Sequence, residues 1–391
     1  MTKEPAQKTI DQILDKRQSL KTLREILFAN IIMAGEIPAP TGCERALTQF
    51  LCDRFTEGWL NDISRDQAGN VAAVLPGANG KRNLLVAAHV DKIWGESEDH
   101  TVNVGVGRMS GRGIADNGLG VAVLATLPLV LEALEIQLKS NLILLGTTRS
   151  FGRGDLAGMR FFLEHTDREI GAGLCLEGMN LGRLSYSSLG MARGVISVDS
   201  KGSYSGPDEQ SSGAIACLNE LVGELLELNR GGFPETKILI GSMEAGSGFN
   251  VPPGKAKVRF EIRSEDAHLV ERVETEVKSL IGRKELGYVG EVTVEMIAHR
   301  QPGDLGADHP FVEAAHHTLS CLGIRPNVEP SISELAALLD RKIPSLTLGI
   351  TKGESRHSPD EMIHLEPIFD GLAQIVSVLE FMDESGFEFE G

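Results

Sequence analysis

The sequence predicts an α/β protein with a mostly parallel mixed sheet, helices on both its faces, and an inserted α+β domain of ferredoxin-like order. Three observations carry that prediction. The run Leu84-Leu85-Val86-Ala87-Ala88-His89 is short, apolar and partly branched, as a strand buried on both faces must be. Such runs alternate with helical patterns through the first half of the chain, which gives parallel pairing. Near 190–194 the alternation gives way to a strand, a helix, two strands, a helix and a strand, after which the α/β pattern resumes. The expected division is therefore residues 1–191 with 300–391 for the larger domain, and 192–299 for the insertion.

Residues 10–35 have helical spacing at Leu20, Leu23, Ile26, Leu27 and Ile31. Pro38 to Gly42 form a turn, and a second helix spans 44–55. Strands follow over 70–75 and 83–89, joined by the turn 76–80. The stretch 93–112, rich in Gly and charge, is expected to be a long loop. Then come a helix over 117–133, a strand over 140–147, a helix over 154–165 and a strand over 171–176. In the insertion, strands are expected at 191–198, 237–241, 255–263 and 290–298, with helices ending near 228 and over 268–281. The tail holds helices at 309–322 and 332–341, the apolar strand 345–349 and a closing helix over 367–382.

Composition excludes several classes. With 391 residues the chain is long enough for two cores. Its formal net charge of −17 argues against nucleic acid or an anionic membrane as partner. The five cysteines are scattered and form no CxxC, which fits a reducing, cytoplasmic setting. The first residues are polar and lack the apolar core of a secretory signal, and no run of about 18 apolar residues is expected to span a membrane. His316 and His317 are neighbours on a helix, so they do not share a face and are not expected to share a metal.

Two stretches carry chemistry. His89 and Asp91 are two apart at a strand end, so their side chains leave on the same side. That end is where open α/β sheets hold their ligands. An imidazole can bind a metal through one nitrogen while a carboxylate orients it through the other. The second stretch, Ser110-Gly111-Arg112-Gly113-Ile114-Ala115-Asp116-Asn117-Gly118, places Asp116 in a Gly-rich turn at a helix start. Later, Glu177 closes the strand Gly173-Leu174-Cys175-Leu176, and His357 follows the strand ending at Gly349.

In order and spacing these residues resemble the aminoacylase, glutamate carboxypeptidase, tripeptidase and succinyl-diaminopimelate desuccinylase family of co-catalytic zinc hydrolases. The resemblance runs from about residue 20 to the end. It implies a zinc-peptidase-like fold with a lid and dimerisation domain at 192–299, and hence a homodimer. It implies hydrolysis of amide bonds in small peptides or N-acyl amino acids. By resemblance His89, Asp116, Glu177 and His357 fall on metal-ligand positions, Asp116 bridging two ions, and the bond from Asp116 to Asn117 is cis. Asp91 would orient His89, and the metal would be Zn2+, with Mn2+ or Co2+ as substitutes.

The chain departs from that pattern where a Glu-Glu pair should follow the strand 141–148. Arg149 stands at the position of the general base, and Ser150 at that of a ligand to the second metal. A guanidinium does not accept a proton at neutral pH, and a neutral hydroxyl is a poor zinc ligand. The expectation is one good metal site at His89, Asp116 and Glu177 and a weak or empty second one. Arg149 is expected to supply positive charge there, pairing with Asp116 or binding an anionic ligand. Glu354 or Glu361 is then the expected base. The lid histidine is replaced by Tyr204, and Ser333-Glu334-Leu335-Ala336 departs from the family's Ser-Asp-Ala-Asn. Tyr204, Asn250 and Arg263 are the expected substrate-binding residues. The alternative is an inactive member that binds a small carboxylate ligand in the cleft.

Overall fold

A computed structural model describes residues 3–200, 213–233, 235–249, 253–287 and 290–385. It divides into two compact units, residues 1–187 with 304–391, and residues 188–303.

The first unit is built on an eight-stranded mixed sheet. Its strands are β1 (Asn61–Arg65), β2 (Val71–Leu75), β3 (Asn83–His89), β4 (Asn141–Thr147), β5 (Ala172–Glu177), β6 (Arg183–Ser185), and, after the insertion, Asn327–Val328 and Ser345–Gly349. From one edge the order is β1, β2, β4, β3, β5, Ser345–Gly349, β6 and Asn327–Val328. The middle four of these run parallel. Leu84, Leu85, Val86 and Ala87 are all fully buried, because helices cover both faces of β3. One face packs on α1 (Lys3–Leu20), α2 (Arg24–Glu36), α3 (Arg45–Glu57), α4 (Leu119–Ala133) and the helices Pro310–Cys321 and Ile368–Ser385. The other face packs on Leu156 and Met159 near α5 (Ala157–His165), and on Leu335 and Leu338 of the helix Leu335–Asp340.

Two expectations are corrected here. The helix expected over 10–35 is broken by a short 3-10 turn at Lys21–Leu23. The stretch 93–112 is not all loop: Asn103–Gly105 and Arg108–Ser110 pair with each other and with Met362–His364. That partner lies about 250 residues away in sequence, so no local pattern announces it. Likewise β1 is a polar edge strand with most residues exposed, and it carries no apolar signal. The segment Ile114–Ala133 is long and apolar enough by composition to cross a membrane, yet it is the buried helix at the centre of the larger core.

The second unit is a four-stranded antiparallel sheet with two helices on one face. In chain order its elements are the strand Gly190–Ser200, the helix Gly213–Glu227, the strands Thr236–Ala245 and Lys255–Ser264, the helix Ala267–Gly287 and the strand Gly290–Arg300. The strands are ordered second, third, first, fourth. Ile196, Val198, Leu218, Leu221, Val258, Phe260, Val273 and Val277 form its core. Alternation of period two explains it: inward residues pack on the helices, while Leu239 and Met243 stay exposed.

One buried lysine ties the first unit together. Lys92 donates from Nζ to the carbonyls of Ala34, Gly35 and Ile37 at 2.7–2.9 Å, which satisfies the orphan end of α2. Burial pulls its pKa down to about 7, against the charge of Glu361.

Candidate metal centre

His89 and Thr147 are register partners at the ends of β3 and β4. Glu177 and Gly349 are partners at the ends of the next two strands. The carboxyl ends of four neighbouring parallel strands therefore converge, and each leads into a turn that adds to the site. Asp116 arrives from the turn before α4, whose entry requires Gly113 in a left-handed backbone (φ 71°). A Cβ on Gly178 would meet the Ala115 carbonyl oxygen at 2.1 Å, so only glycine lets the end of β5 come this close to Asp116. The Asp116–Asn117 peptide is cis. Asn117 bridges the same two elements, donating to the Leu176 carbonyl at 2.9 Å and accepting from Gly178 N at 3.0 Å.

The result brings ligand atoms of His89, Asp116 and Glu177 within 4.8 Å of one another, with all three residues buried. His89 Nε2 lies 3.1 Å from Asp116 Oδ1, and among the described residues that oxygen has no hydrogen-bond partner. Burial opposes a charged imidazolium, but the neighbouring carboxylates of Asp116, Asp91 and Glu334 hold His89 well above its usual range. An imidazole nitrogen, two carboxylates and an orphaned buried oxygen are a donor set that fits a divalent cation. The surplus of buried negative charge asks for one.

Asp91 is fully buried. Its Oδ2 accepts from Thr41 Oγ1 at 2.8 Å and from the amides of Ser150 and Phe151 at 2.9 Å each. Its Oδ1 stands 3.6 Å from His89 Nδ1, while its own carbonyl oxygen lies nearer that nitrogen, at 3.2 Å. Asp91 thus fixes the turn after β4 through its carboxylate and meets the histidine through its own backbone carbonyl.

Arg149 does not pair with Asp116. It is exposed, in a left-handed backbone (φ 56°), and its amide donates to Glu44 Oε1 at 2.9 Å. The chain is pinned on either side of it, at Thr148 by Asn70 and at Ser150 by Asp91, and the turn between them leaves its side chain exposed. The guanidinium on Asp116 belongs to Arg356, which sequence reasoning missed. Arg356 Nε and an NH2 group lie 2.7 and 2.6 Å from Asp116 Oδ2. His357 Nε2 meets the same oxygen at 2.7 Å. Burial works against the Asp116 carboxylate, but His357, His89 and Arg356 hold it well below the usual range.

Of the two expected bases, Glu361 is already engaged. Glu354 is exposed and lies 3.5 Å from His364. Glu361 is fully buried and accepts from the amides of Ala115, Asp116 and His357 at 2.6, 2.8 and 3.1 Å. It is a strut that holds the two turns of the site, and its oxygens are spent on amides.

Glu334, read from sequence only as a departure, is instead a buried carboxylate of the site. Ser150 Oγ and Thr147 Oγ1 both donate to its Oε1. Burial first, then the charges of Glu177 and Asp91, raise its pKa against the pull of His89 and Ser150. A group whose pKa is raised on folding adds stability below its unfolded value near 4.3 and loses it as pH rises through the folded value. Glu334→Gln keeps the accepting oxygen and removes the charge. The metal-free variant is expected to melt above the wild type at pH 7, with the gap closing toward pH 4. Equal melting temperatures at both pH values would contradict this.

Of the expected substrate-binding residues, Tyr204 and Asn250 lie outside the described residues. Arg263 belongs to the second unit and pairs with Glu261, as does Arg193 at 2.7 Å. Burial disfavours the Glu261 carboxylate, yet these two arginines keep its pKa low. Phe151 stands edge-on to His89 and His357, with ring centroids 5.0 and 6.3 Å away.

Comparison with known proteins bears on the fold. Residues 186–289 match the peptidase dimerisation domain, and residues 70–149 match peptidase family M28. The second match takes in His89, Asp91 and Asp116 and ends at Arg149. No curated protein matches the sequence. Among solved structures, aminopeptidase PepT from Bacillus cereus is 18% identical, with 91% of this chain and 98% of that one covered and a TM-score of 0.69. The di-peptidase Dug1p from Saccharomyces cerevisiae is 14% identical over 95% and 98%, with a TM-score of 0.76. The Bacillus subtilis YXEP protein, a dinuclear metal binding peptidase from the M20 family, is 17% identical over 93% and 99%, with a TM-score of 0.65. At such identities the likeness is one of fold. The resemblance read from the sequence holds: the chain has the fold of these peptidases and carries a peptidase dimerisation domain.

Proposed function

We propose that this protein is a metal-dependent hydrolase of amide bonds in small peptides or N-acyl amino acids, working with one ion at His89, Asp116 and Glu177. The observation that carries this reading is the orphaned Asp116 Oδ1 facing His89 Nε2 beside Glu177, at the carboxyl ends of a peptidase-fold sheet. A zinc ion bound there would supply a Lewis acid and lower the pKa of its water.

The chain's own groups then divide the work. Asp91 orients His89 and holds the turn that carries Ser150. Arg356 and His357 hold Asp116 through Oδ2, which leaves Oδ1 for the ion. With Arg149 unable to accept a proton and Glu361 committed to three amides, Glu334 is the carboxylate we assign as proton acceptor, its position set by Ser150 and Thr147. The dimerisation domain supports a homodimer, and the composition a cytoplasmic protein.

The test is turnover of a panel of dipeptides and N-acyl amino acids by zinc-loaded protein. Hydrolysis of at least one member is expected, abolished by chelator and by Glu177→Ala, and lowered about 100-fold or more by Glu334→Gln. A second reading rests on the exposed guanidinium of Arg149 where a base is expected: the protein binds a small carboxylate without cutting it. Saturable binding with no turnover of any panel member would select that reading.

A further inference from the structure

We propose that the guanidinium of Arg356 occupies the place of a second metal ion, so that the centre is built for one ion and one arginine. This rests on the reading of His89, Asp116 and Glu177 as a metal site. The two oxygens of Asp116 are used differently. Oδ1 faces His89 and has no hydrogen-bond partner among the described residues, as a ligand atom should be. Oδ2, the oxygen left for a second ion, is filled by two nitrogens of Arg356 and by His357 Nε2, all within 2.7 Å. Arg356 also lies 3.8 Å from Glu177 Oε2, so its charge spans two carboxylates as a bridging cation would.

The surroundings build that placement. Ser355 and His357 both adopt a left-handed backbone (φ 57° and 64°), a conformation uncommon outside glycine that persists where neighbours enforce it. Here the enforcing group is Glu361, which accepts from the amides of His357, Asp116 and Ala115 and so ties the Arg356 turn to the Asp116 turn. The remaining second-ion ligand position is Ser150, a neutral hydroxyl that donates to Glu334. A divalent ion at Oδ2 would sit against a permanent cation with one imidazole and a shared carboxylate as its support, too few ligands for zinc. A guanidinium matches a carboxylate in shape and keeps its charge at any working pH.

The experiment is zinc stoichiometry by elemental analysis after loading and desalting, with circular dichroism as a check on folding. About one ion per chain is expected for wild type and for Ser150→Glu, and about two for Ser150→Glu with Arg356→Gln, which restores a ligand and removes the competing charge. Two ions in the wild type, or one in the folded double variant, would overturn the proposal. Should the double variant fail to fold, Arg356→Gln alone decides: zinc affinity at least 10-fold above wild type supports it, and unchanged or weaker affinity refutes it. A wild type that binds no zinc defeats the one-metal reading instead. Arg356→Gln then still judges the arginine, since an ion gained on its removal supports the proposal and a chain that stays empty overturns it.

Discussion

Asp91→Ala is expected to weaken zinc binding by about 10- to 100-fold, the usual effect of losing the group behind a metal-bound histidine. The substitution removes more than an orienting charge. The amides of Ser150 and Phe151 lose the acceptor they share, as does the hydroxyl of Thr41. A buried donor left without a partner costs about 1–3 kcal/mol, so the loss in stability should reach about 3 kcal/mol or more. Asp91→Asn keeps one accepting oxygen and should recover most of the stability and little of the affinity. Competition with a fluorescent zinc chelator and denaturant unfolding separate the two effects. Affinity in Asp91→Ala equal to wild type would show that His89 is held without it.

Glu361→Ala should be the most damaging single change at the site. Three amides lose one carboxylate, and charge-assisted bonds of this kind contribute about 1.5–3 kcal/mol each, though not additively. A loss of about 4 kcal/mol is expected. At about 2–4 °C per kcal/mol for units of this size, the melting temperature should fall by roughly 8–16 °C. Zinc affinity should fall with it, because the Asp116 and His357 turns would no longer share an anchor. Glu361→Gln retains one acceptor and should fall between. A melting temperature within about 2 °C of wild type would mean the amides find other partners.

Much of this was legible in the sequence, for physical reasons that differ from residue to residue. Strands buried on both faces, such as Leu84 to His89, announce themselves as apolar runs. The α+β insertion is legible because period-two patterns replace the α/β alternation near Gly190. The grouping of His89, Asp116 and Glu177 is legible through the family resemblance, with His89 and Glu177 at strand ends and Asp116 in a Gly-rich turn at a helix start. The polar edge strand Asn61–Arg65 and the pairing of Arg108–Ser110 with Met362–His364 left no local signal.

Within the site, the sequence misdirects where two neighbours have similar chemistry. Arg149 holds the suggestive position, but its turn leaves it exposed, and the working guanidinium comes from Arg356, about 200 residues further on. Glu361 looked like a base because it is an acid near His357, yet backbone amides take up its oxygens. Glu334 was the reverse case: nothing in its local context announces that Ser150 would point at it. One signal was available. A short Ser at a position that calls for a long carboxylate leaves space, and another carboxylate in the chain has reason to fill it.

The most direct measurement is the zinc content of the purified chain, by elemental analysis after loading and removal of free metal, for wild type and Glu177→Ala. The account predicts about one tightly held ion per wild-type chain and none in the variant. No ion in the wild type, or the same content in Glu177→Ala, would contradict it.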